Sequence, residues 1–249
     1  MPHYNLLSDN QAKMHKSLEL GFYSVILHLE PAYTYKGLKT CPWSGQCAGY
    51  CLGNSGQMRF EVARNARIRR TQLLVDHPSE FHGALVLDIC KARRYADSLG
   101  LSLTARLNGT SDLRWESMAI SQDGKNIFEV FPEIQFIDYT KSVERALTVQ
   151  IPNYNLTYSR NEKSKEGEIV EILDNGGKVA VVFDTAKGEP LPKTYKIGKR
   201  RFKVIDGDIS DLRHLDPHGV VVGLRYKRAF SKKTGKSVKV KAGFVIFGQ

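Results

Sequence analysis

Three of the four cysteines fall within one short stretch, CPWSGQCAGYC at residues 41–51, spaced C-x5-C-x3-C. Thiolates are soft ligands that select zinc, copper or iron–sulfur clusters, and three on one loop can reach a common centre without long-range chain closure. Cys41, Cys47 and Cys51 are therefore the candidate metal ligands. Structural zinc sites usually pair short C-x2-C spacings with a second Cys or His pair, which is missing here. In a reducing compartment a cysteine cluster more often means metal or redox chemistry, and an iron–sulfur cluster is thus placed ahead of zinc and of unliganded thiols. His28, His77 and His82 stand as possible completing ligands of a zinc site. Cys90, in LVLDICKARRYADSLG, lies among Leu85, Leu87, Ile89 and Ala92 and reads as a core thiol on a helix. As a fourth ligand it would close the cluster.

The elements that must position these residues alternate. FYSVILHLE at 22–30 reads as a buried strand feeding the cysteine loop. FEVARNARIRRTQLLVD and EFHGALVLDICKARRYADSLG read as amphipathic helices, the second closed by Gly100. LSLTARLNG reads as a strand and SDLRWESMAIS as a helix capped by Ser111 or Asp112. IQFIDYT, YNLTYSR, KVAVVFD, FKVIDGD and VVVGLRY add five strand candidates. This order predicts an α/β fold with parallel strands, a partial or complete (β/α) barrel, built as a single domain over residues 1–249.

In such folds ligands sit at the carboxyl ends of the strands. The candidate strands end in Arg106 and Asn108, in Asp138, Tyr139 and Lys141, in Ser159, Arg160 and Asn161, and in Asp184, Asp206, Asp208 and Lys227. Asp206 and Asp208 could act as an acid/base pair, but DGD is first of all a turn. Phosphate-loop, dinucleotide-binding and HExxH signatures are absent.

The formal net charge of +11 favours anionic partners, with nucleic acid the candidate. Arg64, Arg67 and Arg70 line the helix after the cysteine loop; Lys227, Arg228, Lys232, Lys233 and Lys236 crowd a basic tail, about 225–249, expected to form a β-hairpin turning at KKTGK. Tyr226 and Phe230 are available for stacking on bases. No apolar run approaches the roughly 18 residues of a membrane span, and the start lacks the layout of a secretory signal, so no membrane partner and a cytoplasmic location are expected. Four cysteines are too few for a disulfide framework at this length.

A cysteine loop directly after the first strand of a βα array, with Tyr50 before Cys51, resembles the radical S-adenosylmethionine superfamily. There three cysteines hold a [4Fe-4S] cluster whose open iron binds S-adenosylmethionine, and the usual loop is C-x3-C-x2-C, a departure that touches cofactor geometry more than cluster binding. The resemblance implies Tyr50, Arg106, Asn108, Asp138 and Ser159 as cofactor-binding positions, RLNGTSD as a counterpart of the family's glycine-rich stretch, and an electron donor as partner if the protein is redox active. LLSDNQAKMHKSLELGFYSVILHLEPA, TCPWSGQCAGYCLGNSGQ and RLNGTSDLRWE further resemble the phage-encoded family named after gene product 88, which implies a viral protein in the host cytoplasm and no particular reaction.

Overall fold

The computed structural model describes residues 4–9, 16–49, 51–227 and 243–248. Strands β1 (Leu7–Ser8) and β2 (Phe22–Leu27) come first, followed by a small hairpin of β3 (Thr34–Tyr35) and β4 (Leu38–Lys39). Helices α1 (Glu61–Asp76) and α2 (Pro78–Ser98) lead to β5 (Ser102–Arg106). Then come α3 (Ile127–Val130), β6 (Gln135–Thr140), α4 (Val143–Thr148), β7 (Tyr154–Ser159), α5 (Glu166–Asp174) and β8 (Val179–Phe183). The chain finishes with β9 (Thr194–Ile197), β10 (Arg200–Asp206), β11 (Val221–Arg225) and β12 (Val245–Ile246).

The fold is mixed α/β with a largely parallel ten-stranded sheet, ordered β1-β2-β5-β6-β7-β8-β11-β10-β9, with β12 also on β8. Antiparallel ladders occur at its ends, β1 on β2 and β9 on β10. Among the described residues no ladder joins β1 to β9, so the path has two ends. Strand order also departs from that of a sequential barrel, because β11 lies between β8 and β10.

The residues cluster into two compact units. The first is Met1–Pro42, Phe60–Asp138 and Ile151–Asn155; the second is Trp43–Arg59, Tyr139–Gln150 and Leu156–Gln249. In the first, β2 buries four consecutive residues, Val25 to Leu27 with Ser24, as a strand covered on both faces must. On α2, Phe81, Leu85 and Ile89 repeat at the four-residue spacing of one helix face and are fully buried. Pro78 opens that helix, and Gly100, at φ +68°, closes it by donating its N–H to the Asp97 carbonyl. In the second unit, Ile169, Ile172 and Leu173 of α5 pack on Val179, Val181 and Phe183 of β8 and on Tyr195, Phe202 and Val221.

The expected helix over SDLRWESMAIS does not form. Only a 3-10 turn, Trp115–Ser117, appears there, because its capping residues are engaged elsewhere. The Ser111 hydroxyl donates to Asn108 Oδ1, the Asp112 N–H donates to the Thr40 carbonyl, and Trp115 is buried on Phe81 with ring centroids 6.4 Å apart. Tertiary contacts override local propensity at these positions. The expected basic hairpin at KKTGK lies outside the described residues. Beyond it, β12 runs parallel to β8, with Val245 paired to Val182.

Candidate functional site

The first thiol of the loop stands on a buried post in the first unit. After β2 the chain turns through the β3–β4 hairpin, whose two-residue turn, Lys36 and Gly37, has φ values of +43° and +89°, as a type I′ turn requires. This returns the chain to Thr40, which is fully buried. Its hydroxyl donates to the Glu30 carbonyl at 2.8 Å and accepts the Tyr33 N–H at 3.0 Å, while its own carbonyl accepts the Asp112 N–H at 2.8 Å. Cys41 follows directly. Its Sγ accepts the Ala32 N–H at 3.3 Å and lies 3.6 Å from the Thr110 carbonyl, to which the thiol donates.

The other two thiols lie in the second unit, on consecutive 3-10 turns. Cys47 is the middle residue of Gln46–Ala48, and Cys51 caps the start of Leu52–Asn54. Asn54 braces both: its N–H donates to the Cys51 carbonyl at 2.8 Å and its side-chain amide to the Ala48 carbonyl at 3.1 Å. Glu162 reaches the same loop, its Oε1 accepting the Gln46 N–H at 2.8 Å. Among the described residues no disulfide forms, and all four cysteines are half-buried, Cys90 on α2 included. In kind, three thiols outside any disulfide fit a thiolate-held group. Among the described residues, no three His, Cys, Asp or Glu side chains gather as a metal-binding group.

The histidines considered for zinc have separate surroundings. His28 is buried, its Nδ1 is 3.5 Å from the Thr110 hydroxyl, and burial, reinforced by the charges of Arg106, Arg70 and Arg67, pushes its pKa down to about 3. It is therefore neutral at ordinary pH. His82 on α2 is also lowered by burial, and His77 lies 3.6 Å from Glu80 on the surface.

Two of the strand-end residues are brought together. The Asn108 N–H donates to Asp138 Oδ1 at 2.7 Å, and the Asn108 side-chain amide donates to Asp138 Oδ2 at 3.2 Å and to the Leu113 carbonyl at 3.0 Å. The Tyr154 hydroxyl adds a third bond to Asp138, at 3.2 Å. Asn108 Oδ1 accepts from Ser111 and from the Leu113 N–H. Both side chains are thus committed to shaping the loop after β5. Gly109 in that loop approaches β2 so closely that a Cβ would meet Ile26 Cγ2 at 2.4 Å and the Leu27 carbonyl at 2.7 Å.

In the second unit Ser159 accepts from Lys141 Nζ at 2.8 Å. Arg106, on β5, is half-buried. Tyr50 lies outside the described residues. The Asp206–Gly207–Asp208 stretch is a turn, with the Asp208 N–H on Asp206 Oδ1 at 2.9 Å. Arg225 clamps both carboxylates, at 2.9 and 3.2 Å.

The helix arginines differ in exposure. Arg67 is 1% exposed and its Nε binds Glu30 Oε2 at 2.9 Å, which corrects its assignment to a nucleic-acid surface, since a guanidinium so enclosed does not reach a phosphate. Arg70 donates to the Asn5 carbonyl at 3.1 Å. Arg64 reaches Glu30 Oε1 at 3.3 Å while keeping nearly half of its side chain exposed. Lys227 is exposed; Arg228, Lys232, Lys233 and Lys236 lie outside the described residues.

The family model described as gene product 88 matches residues 5–245, a span that takes in the cysteine loop and elements of both units. The chain belongs to the gene product 88 family. No curated protein and no solved structure matches it. Within this family member, Glu30, Thr40, Asn54 and Glu162 are the residues around the thiols that sequence reading passed over. Glu162 meets the loop 116 positions away, so no local pattern marks it. No helix among the described residues is long and apolar enough to cross a membrane.

Proposed function

We propose that the protein binds an iron–sulfur cluster, of the [4Fe-4S] type, through Cys41, Cys47 and Cys51, on a scaffold like that of the radical S-adenosylmethionine superfamily. The supporting observation is that the three thiols of the loop are half-buried and in no disulfide among the described residues, with Cys41 held on the Glu30–Thr40 post. Metal sites seldom exist complete before loading, and ligand loops close as the metal binds. When bound, such a cluster supplies one-electron transfer or braces the fold. The chain's own residues fix the loop: Thr40 anchors the approach to Cys41, and Asn54 ties the turns that carry Cys47 and Cys51.

Reductive cleavage of S-adenosylmethionine ranks second. It calls for strand-end groups free to orient the cofactor, whereas Asn108 and Asp138 hold each other and the loop after β5. The reading further takes the protein as phage-encoded and acting in the host cytoplasm. Its anionic partner is a nucleic acid met by Arg64, Lys227 and the basic tail, and an electron donor serves it if the cluster cycles. A zinc-stabilised nucleic-acid-binding protein is the remaining reading.

The test is anaerobic purification with iron, sulfide and zinc analysis, then electron paramagnetic resonance of the reduced protein before and after S-adenosylmethionine is added. Iron with sulfide and an unchanged spectrum is the expected result. A spectrum altered by S-adenosylmethionine would promote the enzyme reading, and zinc without iron would replace both.

A further inference from the structure

We infer that Glu162 is the positioning residue of the cysteine loop, acting from the turn after β7 on the segment that carries Cys47. Among the described residues its carboxylate makes one hydrogen bond, Oε1 to the Gln46 N–H at 2.8 Å, immediately before Cys47. The bond is charge-assisted, since a carboxylate accepts from a backbone N–H, and such bonds are roughly twice as strong as neutral ones. The Gln46 N–H is also one of the donors that a short helical turn leaves without an internal acceptor. Glu162 supplies that acceptor.

The fit is steric as well as polar. Gly45 lies so close to the carboxylate that a Cβ there would stand 2.0 Å from Glu162 Oε1. A second glycine lies close, though less tightly: a Cβ on Gly243 would stand 3.1 Å from Glu162 Cβ, and the Gly243 carbonyl accepts from Arg160 Nη1 at 2.6 Å. Glu162 therefore sits between the cysteine loop and the chain entering β12, in a seat shaped by two glycines. Its second oxygen, Oε2, is buried and accepts no hydrogen bond among the described residues. As a statement about a cluster, the inference rests on the function proposed above; as a statement about the loop, it does not.

The experiment reads the alkylation rate of each cysteine by mass spectrometry, with iodoacetamide as the probe, on the full chain freed of metal. Glu162→Ala is expected to speed alkylation of Cys47 on the order of tenfold, the factor set by losing one hydrogen bond to a charged acceptor. Glu162→Gln, whose amide oxygen can accept the same N–H, is expected to stay near the wild-type rate. Gly45→Ala keeps the carboxylate but expels it from its seat, so it should reproduce Glu162→Ala, and the double variant should add nothing further. Cys90 on α2 serves as the internal control and should not change. Unchanged Cys47 reactivity in Gly45→Ala, multiplying effects in the double variant, or a Glu162→Gln rate as high as that of Glu162→Ala would each overturn the inference. If Glu162→Ala does not fold, Gly45→Ala and Glu162→Gln decide. Wild-type protein that takes up no iron removes the cluster and leaves the clamp standing; iron uptake with unchanged Cys47 reactivity removes the clamp and leaves the cluster.

Discussion

Arg67 and Glu30 meet inside the first unit, Nε to Oε2 at 2.9 Å, with side chains 1% and 2% exposed. The pair is part of a larger brace, for the Glu30 N–H donates to the Thr71 hydroxyl and the Glu30 carbonyl accepts from Thr40, the residue before Cys41. A buried ion pair on the helix after the loop thereby fixes the strand end before it.

Breaking a buried ion pair by removing one partner costs about 3–5 kcal/mol when the other charge is left alone. Arg67→Met leaves Arg64 on Glu30 Oε1, so it is expected to lose stability in urea unfolding by less than that, and Glu30→Met combined with it should recover part of the loss. A single variant as stable as wild type would show that the contacts left on Glu30 suffice for its charge.

Much of this fold is legible from local pattern. β6, β7, β8, β10 and β11 each begin and end within two residues of the runs that signal them, and β2 and β5 stop three residues short of theirs, because apolar β-branched runs bounded by turns have few alternatives. β9 was not legible: TYKI and RRFKVID are separated only by Gly198 and Lys199, and the tight turn rests on Gly198 at φ +56°. The arginines of α1 show the opposite difficulty. RNARIRR reads as a charged face, yet the partner that draws Arg67 inward is Glu30, 37 positions earlier on another element. Charge patterning records what a residue is, and burial of an ion depends on a partner that only the fold supplies.

For the cysteine loop, Cys41→Ala, Cys47→Ala and Cys51→Ala are each expected to abolish metal binding and lower stability, while Cys90→Ala keeps full metal content. Iron and zinc analysis of anaerobically purified variants is the measurement. Full retention in any loop variant removes that residue from the ligand set.

His28 makes stability depend on pH. Its pKa is about 6.5 in an unfolded chain and about 3 in the fold, so the unfolded state binds the proton first. The contribution is complete above pH 6.5 and is lost as pH falls from 6.5 towards 3, with a limiting slope of about 1.4 kcal/mol per pH unit. Urea midpoints from pH 7 down to 4 should fall more steeply in wild type than in His28→Leu. Parallel curves would assign the acid sensitivity to other groups.

A nucleic-acid role has a clear electrostatic signature. Affinity should fall linearly with the logarithm of salt concentration, with a slope of about 0.9 per phosphate contact on duplex DNA. Reversing Lys227, Arg228, Lys232 and Lys233 to Glu should weaken binding and flatten that slope. Arg67→Met should leave the slope unchanged, its guanidinium being enclosed on Glu30. Salt-insensitive binding, or none, would remove the role.

Asp138 separates a structural strand end from a cofactor-binding one. Its carboxylate accepts from the Asn108 N–H, the Asn108 amide and the Tyr154 hydroxyl, and Asp138→Ala would remove that acceptor from all three, the Asn108 amide keeping its bond to the Leu113 carbonyl. At about 1–3 kcal/mol for a buried group left unsatisfied, the variant should lose at least about 1 kcal/mol of stability through the Asn108 N–H. Its iron content, measured on the folded fraction, should match wild type, because the bonds it breaks close the loop after β5 and touch no cysteine. If instead stability holds while S-adenosylmethionine no longer alters the spectrum of the reduced protein, Asp138 faces the cofactor and the ranking of cluster holding above cleavage reverses.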